Sequence, residues 1–182
     1  MRVISGKYKG KRFDPPRNFP SRPTTDFAKE ALFNILENQY ELPDLKVLDL
    51  FAGTGSISLE FISREANYVT SVDNHGISCK FLHSMKTSVN AGNWQIIKKE
   101  AIKFLEETTE KFDLIFADPP FAMPGQAEIV RLVFERQLLQ ENGSLIIEHG
   151  RENNFENITQ FRQIRNYGGV CFSFFDSDSD QD

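Results

Sequence analysis

Val47-Leu48-Asp49-Leu50-Phe51-Ala52-Gly53-Thr54-Gly55-Ser56 is an apolar run that enters a glycine turn. It leaves the turn into Ile57-Ser58-Leu59-Glu60-Phe61-Ile62, which reads as a helix. Gly53 and Gly55 allow the backbone to turn sharply and to approach a ligand closely. Working outward, strand-like stretches lie near 46–51, 68–73, 94–97, 112–117 and 144–148. Helix-like stretches alternate with them near 56–64, 76–91, 101–108 and 126–139. Such alternation predicts a parallel sheet with right-handed crossovers. Asn142-Gly143 reads as a turn before Ser144-Leu145-Ile146-Ile147-Glu148, and residues 160–166 and 168–175 as a closing pair of strands across Tyr167-Gly168-Gly169. The expectation is an α/β, Rossmann-like, mostly parallel seven-stranded sheet with helices on both faces.

Three strand ends carry an acid on what would be one edge of that sheet. Asp49 precedes the glycines, and Ser58 stands where the dinucleotide fingerprint G-x-G-x-x-G has its third glycine. A pyrophosphate loop gains nothing from a carboxylate at Asp49, whereas a loop that holds a cationic amino-acid group does. The pattern therefore favours S-adenosylmethionine over a nicotinamide dinucleotide. Tyr68-Val69-Thr70-Ser71-Val72-Asp73 ends in an acid about 20 residues past the glycine loop, where a carboxylate can take both ribose hydroxyls. Phe112-Asp113-Leu114-Ile115-Phe116-Ala117-Asp118-Pro119-Pro120-Phe121 is a buried strand stopped by two prolines, with a carboxylate and a ring at its end. The prolines fix the backbone. A carboxylate can accept from an amino group and a ring can stack on a base, which suits a nucleobase held by its exocyclic amine.

The 182 residues suggest one main domain, and 40% hydrophobic content with 17 Phe is enough for a sizeable core. No stretch approaches a membrane span and the N-terminus lacks a signal-peptide pattern, so a cytoplasmic protein is expected. Cys79 and Cys171 read as free thiols in a reducing compartment, with no zinc spacing. His75, His83 and His149 also lack ligand spacing and read as surface or core-edge residues, so no metal is expected. Charge is unevenly distributed. Residues 1–23 carry Arg2, Lys7, Lys9, Lys11, Arg12, Arg17 and Arg22 against Asp14 alone, a charge of +6 that leaves −11 on the rest of a chain with net charge −5. A basic arm on an acidic body is the asymmetry of a local phosphate-binding surface. The arm reads as a hairpin or two short strands over residues 2–13, followed by a stretch to Pro23 with four prolines. A helix capped by Thr24 or Thr25 follows, with Ala28, Ala31, Leu32, Ile35 and Leu36 on one face. The organisation expected is an arm at 1–23, a main domain at 24–175 and a disordered acidic tail at 176–182.

Asp49-Leu50-Phe51-Ala52-Gly53-Thr54-Gly55 and Asp118-Pro119-Pro120-Phe121 resemble class I S-adenosylmethionine-dependent methyltransferases that act on amino nitrogens. With Arg2-Val3-Ile4-Ser5-Gly6-Lys7-Tyr8-Lys9-Gly10-Lys11-Arg12, Arg22-Pro23-Thr24-Thr25-Asp26 and Lys29-Glu30-Ala31-Leu32-Phe33-Asn34, the chain is similar to the bacterial ribosomal small-subunit methyltransferase D family. The resemblance runs over roughly residues 1–175. It implies methylation of the N2 amine of one guanine in 16S rRNA, an assembled or nearly assembled small subunit as substrate, and a monomeric enzyme. It implies catalytic roles for Asp118, Pro119, Pro120 and Phe121. The implied cofactor set is Thr25, Asp49, Phe51, Ala52, Gly53, Gly55, Asp73, Asn74, Glu100, Ala101 and Asp118. The implied RNA-binding set is Arg2, Lys7, Lys9, Lys11, Arg12 and Arg22. Two positions depart from the family pattern: Phe27 replaces an Arg, and Glu100 replaces an Asp beside the cofactor's adenine amine. The alternatives are another amino methyltransferase, such as one on DNA adenine, a non-catalytic RNA-binding assembly factor on the same scaffold, and a nicotinamide oxidoreductase.

Overall fold

The computed structural model describes residues 1–20, 24–120, 123 and 125–176. Arg22, Phe121 and the tail beyond Asp176 lie outside the described residues. The strands are β1 (Lys46–Leu50), β2 (Tyr68–Asp73), β3 (Trp94–Lys98), β4 (Phe112–Ala117), β5 (Leu139–His149), β6 (Phe161–Tyr167) and β7 (Val170–Asp176). They form one seven-stranded sheet in the order β3-β2-β1-β4-β5-β7-β6. The five strands β1 to β5 run parallel, and β7 is antiparallel to both β5 and β6. The order reverses between β1 and β4, and the crevice at such a switch point, outside the carboxyl ends of the strands, is where open α/β sheets bind ligands.

The helices are α1 (Asp26–Gln39), α2 (Ser56–Ser63), α3 (Gly76–Ser88), α4 (Ala101–Glu107) and α5 (Ala127–Glu135). Because side chains alternate along a strand, each strand feeds two cores. Val47, Val69, Leu114, Phe116 and Ile146 pack with Leu32, Phe33, Phe61, Leu82 and Met85 on the face covered by α1, α2 and α3. Leu48, Leu50, Val72, Ile115 and Ile147 pack with Leu105, Ile129 and Val133 on the face covered by α4 and α5. Thr25 caps α1 by accepting from the Ala28 N–H at 3.2 Å.

The sequence pattern misreads one region. α5 stops at Glu135 instead of continuing to 139, and Gln137 has a φ of +52°. β5 begins at Leu139, so Asn142 and Gly143 lie inside the strand and not in a turn before it. They form an irregular step where the β4–β5 register shifts between Phe112 and Leu114. Leu138 and Leu139 are buried, and the Phe112 N–H donates to the Leu138 carbonyl at 2.9 Å. Burial of these two leucines against β4 overrides the turn signal. His149 also differs from expectation: it is fully buried, with its ring nitrogens 2.7 Å from the Ser173 hydroxyl and the Gly150 carbonyl.

The arm is a loop folded on one isolated antiparallel bridge, Arg2 with Arg12, and not a pair of strands. Its backbone docks on α2. Ile4 and Ser5 N–H groups each donate to the Glu60 carboxylate at 2.9 Å, and Lys7 N–H donates to the Ser63 carbonyl at 2.7 Å. Gly6 has a φ of +77°, and a Cβ there would meet the Ser63 carbonyl oxygen at 2.0 Å. Covered by the arm on one side and the sheet on the other, α2 is buried along its whole length. Lys29, 1% exposed, completes the junction. Its Nζ donates to the Arg2 carbonyl at 2.7 Å and to Ser56 Oγ at 3.1 Å, and lies 3.5 Å from Glu60.

Candidate active site

β1 ends in the glycine turn, and the turn is held by acids. The Asp73 carboxylate at the end of β2 accepts from Gly53 N–H through one oxygen and from His75 N–H through the other, each at 2.8 Å. Gly53 and Gly55 have positive φ values of +51° and +71°, and Phe51 between β1 and the turn has +60°. A positive φ on a phenylalanine is costly and marks a loop held in shape by its surroundings. Asp49 is 2% exposed. It accepts from Ser58 N–H at 3.1 Å and from the Ser58 hydroxyl, tying the turn to the first turn of α2. Burial pushes the Asp49 carboxyl up to about 7. The two Ser58 hydrogen bonds oppose that rise, and the charges of Asp118 and Asp73 add to it.

Asp118 follows β4 directly, and its N–H reaches the Leu50 carbonyl at 3.4 Å. Burial raises its carboxyl well above the usual carboxylate range. On the neighbouring strand, burial and then the charge of Asp118 raise Glu148 in the same way. Pro119 and Pro120 carry no N–H, so this edge presents acceptors only. The Pro120 carbonyl accepts from Met123 N–H at 2.7 Å. On the other flank, Asn74 Nδ2 donates to Glu100 Oε1 at 2.7 Å, joining the loop after β2 to the start of α4.

One cavity of about 710 Å³ gathers most of the expected residues. Thr25, Asp49, Phe51, Ala52, Gly53, Asp73, Asn74, Glu100, Ala101, Asp118, Pro119 and Pro120 all line it. Gly55 does not. A Cβ there would meet Leu82 Cδ2 at 2.3 Å, so this glycine allows α3 to pack against the turn and does not face the cavity. Arg2, Lys7, Lys9, Lys11 and Arg12 also lie outside the cavity lining, on the docked arm. Arg2 pairs with Asp26 at 3.2 Å, and Lys11 donates to the Ser88 carbonyl at 3.1 Å. Lys9 and Arg12 have no ion-pair partner among the described residues. Sequence reasoning missed Thr24 and Glu148, which also line the cavity. Among the described residues, five that line the cavity are acidic and Lys99 is the one lysine or arginine. Among the described residues no helix is long and apolar enough to cross a membrane.

A seven-stranded sheet in this order, with an acid-lined cavity at the switch point, defines a class I methyltransferase fold. The solved structure titled "Putative methyltransferase yhhF from Escherichia coli" superposes with a TM-score of 0.84 at 27% identity, covering 96% of each chain. The chain belongs to the family described as Conserved hypothetical protein 95, whose model matches residues 1–176. Curated relatives bear the name expected from the sequence. Ribosomal RNA small subunit methyltransferase D of Escherichia coli K12 is 30% identical over 159 residues, which are 87% of this chain and 79% of that protein. The protein of the same name from Buchnera aphidicola of Baizongia pistaciae is 30% identical over 148 residues, 81% of this chain and 75% of that one.

Proposed function

We propose that this methyltransferase moves the methyl group of S-adenosylmethionine to the exocyclic N2 amine of a guanine in 16S rRNA, within the small ribosomal subunit or its assembly intermediate. The observation that carries this reading is the distribution of acids along one cavity. Asp49 and Asp73 sit by the glycine turn, and Asp118 with its two prolines sits beyond them. An acid-lined cavity suits a cofactor that carries positive charge and ribose hydroxyls, and it repels a pyrophosphate. When bound, the cofactor supplies an activated methyl group. In this reading Asp73 accepts from ribose hydroxyls, and Asn74 with Glu100 forms the flank assigned to the adenine. The aromatic stacking role assigned to Phe121 rests on the sequence alone.

The guanine N2 lone pair is conjugated into the ring and is a poor nucleophile. The Asp118 carboxylate and a carbonyl within Asp118-Pro119-Pro120 accept the amine's hydrogens and turn the lone pair toward the methyl group. Orientation of this kind supplies roughly 7–11 kcal/mol in favourable cases. A stacked base is out of reach, so the target nucleotide is presented in a loop or flipped. The names of the relatives support ribosomal RNA as the substrate. They also favour a cytoplasmic protein, and we propose that it acts as a monomer.

Labelled-methyl transfer tests the reading, with small subunits lacking native methylation, naked 16S rRNA and DNA as substrates. Label at a guanine in subunits supports it. Label in DNA alone keeps the chemistry and overturns the substrate. RNA binding with no transfer overturns catalysis.

Two further outcomes are expected. Asp73→Ala removes the carboxylate that accepts from Gly53 N–H in the glycine turn and from His75 N–H at the start of α3, each bond worth roughly 1.5–3 kcal/mol. The S-adenosylmethionine Kd should therefore rise by about 10-fold or more, measured by calorimetry. An unchanged Kd refutes the ribose role. Replacing Lys9 and Arg12 by alanine should lower the slope of log K against log salt for RNA by about one or two charges' worth. An unchanged slope removes the arm from the interface.

A further inference from the structure

We propose that Glu148 reads the target base, its free carboxylate oxygen accepting the N1–H of guanine while Asp118 holds the neighbouring N2 amine. This rests on the function proposed above and adds the residue that would distinguish guanine from other amino bases.

The placement follows from the sheet. β4 and β5 run parallel, with Ala117 opposite Ile147. The next residue on each strand is a carboxylate, Asp118 on one and Glu148 on the other, side by side at the carboxyl ends. Neighbouring strands lie about 4.8 Å apart, so the two carboxyl groups must lean toward one another to face adjacent donors on one base edge. Both residues line the same cavity.

Glu148 is 4% exposed, and its Oε2 is fully buried with no hydrogen-bond partner among the described residues. Nor does Glu148 form an ion pair among them. Thr24 lines the same cavity and eases the rise of the Glu148 carboxyl, while Oε2 has no partner among the described residues. A buried glutamate that serves structure has a cation or several N–H donors, because an unmatched buried acceptor costs about 1–3 kcal/mol. Glu60 in this same chain has both. Glu148 has neither, and its free oxygen is in a ligand cavity. The donor it lacks therefore comes from the ligand.

The chemistry of that donor is specific. On its Watson–Crick edge guanine presents N2–H beside N1–H, two donors in a row. Adenine presents its N6 amine beside N1, and cytosine its N4 amine beside N3. In both, the atom next to the amine is an acceptor. In their ionised form the two carboxylates match donor–donor and repel donor–acceptor, because the second carboxylate then faces a lone pair, and guanine's two N–H donors favour that form against the burial that raises both acids. Rejection through an unpaired buried polar group is the strong form of enzyme specificity.

The test uses small subunits assembled on 16S rRNA that carries either guanine or 2,6-diaminopurine at the nucleotide mapped by label. Diaminopurine keeps the 2-amino group and replaces the N1–H donor by an acceptor. Wild-type kcat/KM should fall on diaminopurine by about 10- to 100-fold, the discrimination one good paired base contact provides. Glu148→Gln, whose amide can donate, should narrow that gap to a few-fold with the cofactor Kd unchanged. Equal wild-type rates on both bases overturn the assignment, as does a Glu148→Gln variant that slows both substrates by the same factor. The wild-type comparison needs no variant and stands even if Glu148→Gln does not fold. A wild-type enzyme that labels no guanine in subunits overturns the underlying function instead, and this proposal with it.

Discussion

Asp118→Ala is expected to slow methyl transfer by about 10²–10⁴-fold, the range lost when a group positioned for proton or hydrogen-bond chemistry at the reacting atom is removed. The cofactor Kd should change far less. The groups assigned to the cofactor's charged and ribose ends, Asp49 and Asp73, are held by Ser58, Gly53 and His75 and not by Asp118. Single-turnover transfer to small subunits, read beside a calorimetric cofactor titration, separates the two. Transfer at the wild-type rate would end the catalytic assignment. The isosteric Asp118→Asn gives a pH signature. Burial raises the Asp118 carboxyl in the folded state above its unfolded value. Such a group contributes stability that is fully present below about pH 4 and is lost as pH rises through its folded pKa. The variant should thus gain in Tm over the wild type at pH 8 relative to the difference at pH 5. A Tm difference that does not vary with pH would contradict the raised carboxyl.

Glu60→Ala should be strongly destabilising. Glu60 is fully buried, accepts from Ile4 and Ser5 N–H, and pairs with Lys29 at 3.5 Å and with Arg64 at 3.1 Å. Removing it leaves two N–H groups without their acceptor and the buried Lys29 without a carboxylate partner among the described residues, while Arg64 keeps only Glu37. Burial already lowers the Lys29 pKa, and Glu60 is the main influence that counters it. Breaking a buried pair from one side costs about 3–5 kcal/mol. For a domain of this size that is a fall in Tm of roughly 10 °C or more. The arm should also detach and become the first site of proteolysis. An unchanged melting curve would show that the network contributes little.

The sequence revealed elements wherever the signal was local. β1, the glycine turn and α2 were legible because strand, glycine and helix residues are contiguous from Val47 to Ile62. Asp73 and Asp118 stood out because each ends an apolar run, and Asp49 because it interrupts one just before the glycines. The start of β5 was not, because Asn142-Gly143 carries a turn signal that burial of Leu138 and Leu139 against β4 overrides. Glu148 looked like any acid at a strand end. Its meaning comes from the register that places it beside Asp118, a relation that no window of sequence contains. Nothing local in the sequence joins Lys29, Glu60 and Arg64, which meet only where the arm folds over α2. Gly55 was assigned to the ligand on motif grounds, although the space it leaves is taken by Leu82.

One rigid helix connects the two ends of the proposed substrate path. α2 begins at Ser56, in the cavity lining, and ends at Ser63, under the arm. The arm is therefore not a tether that searches for phosphates. On the proposed function it is a stop fixed at one end of a gauge whose other end is the glycine turn of the cofactor site. An RNA held by the arm offers its nucleotide to the pocket only if the distance between the two along its folded surface matches the length of that helix. Selection among the many guanines of a ribosomal RNA would then begin as a measurement of length, before any base edge is read.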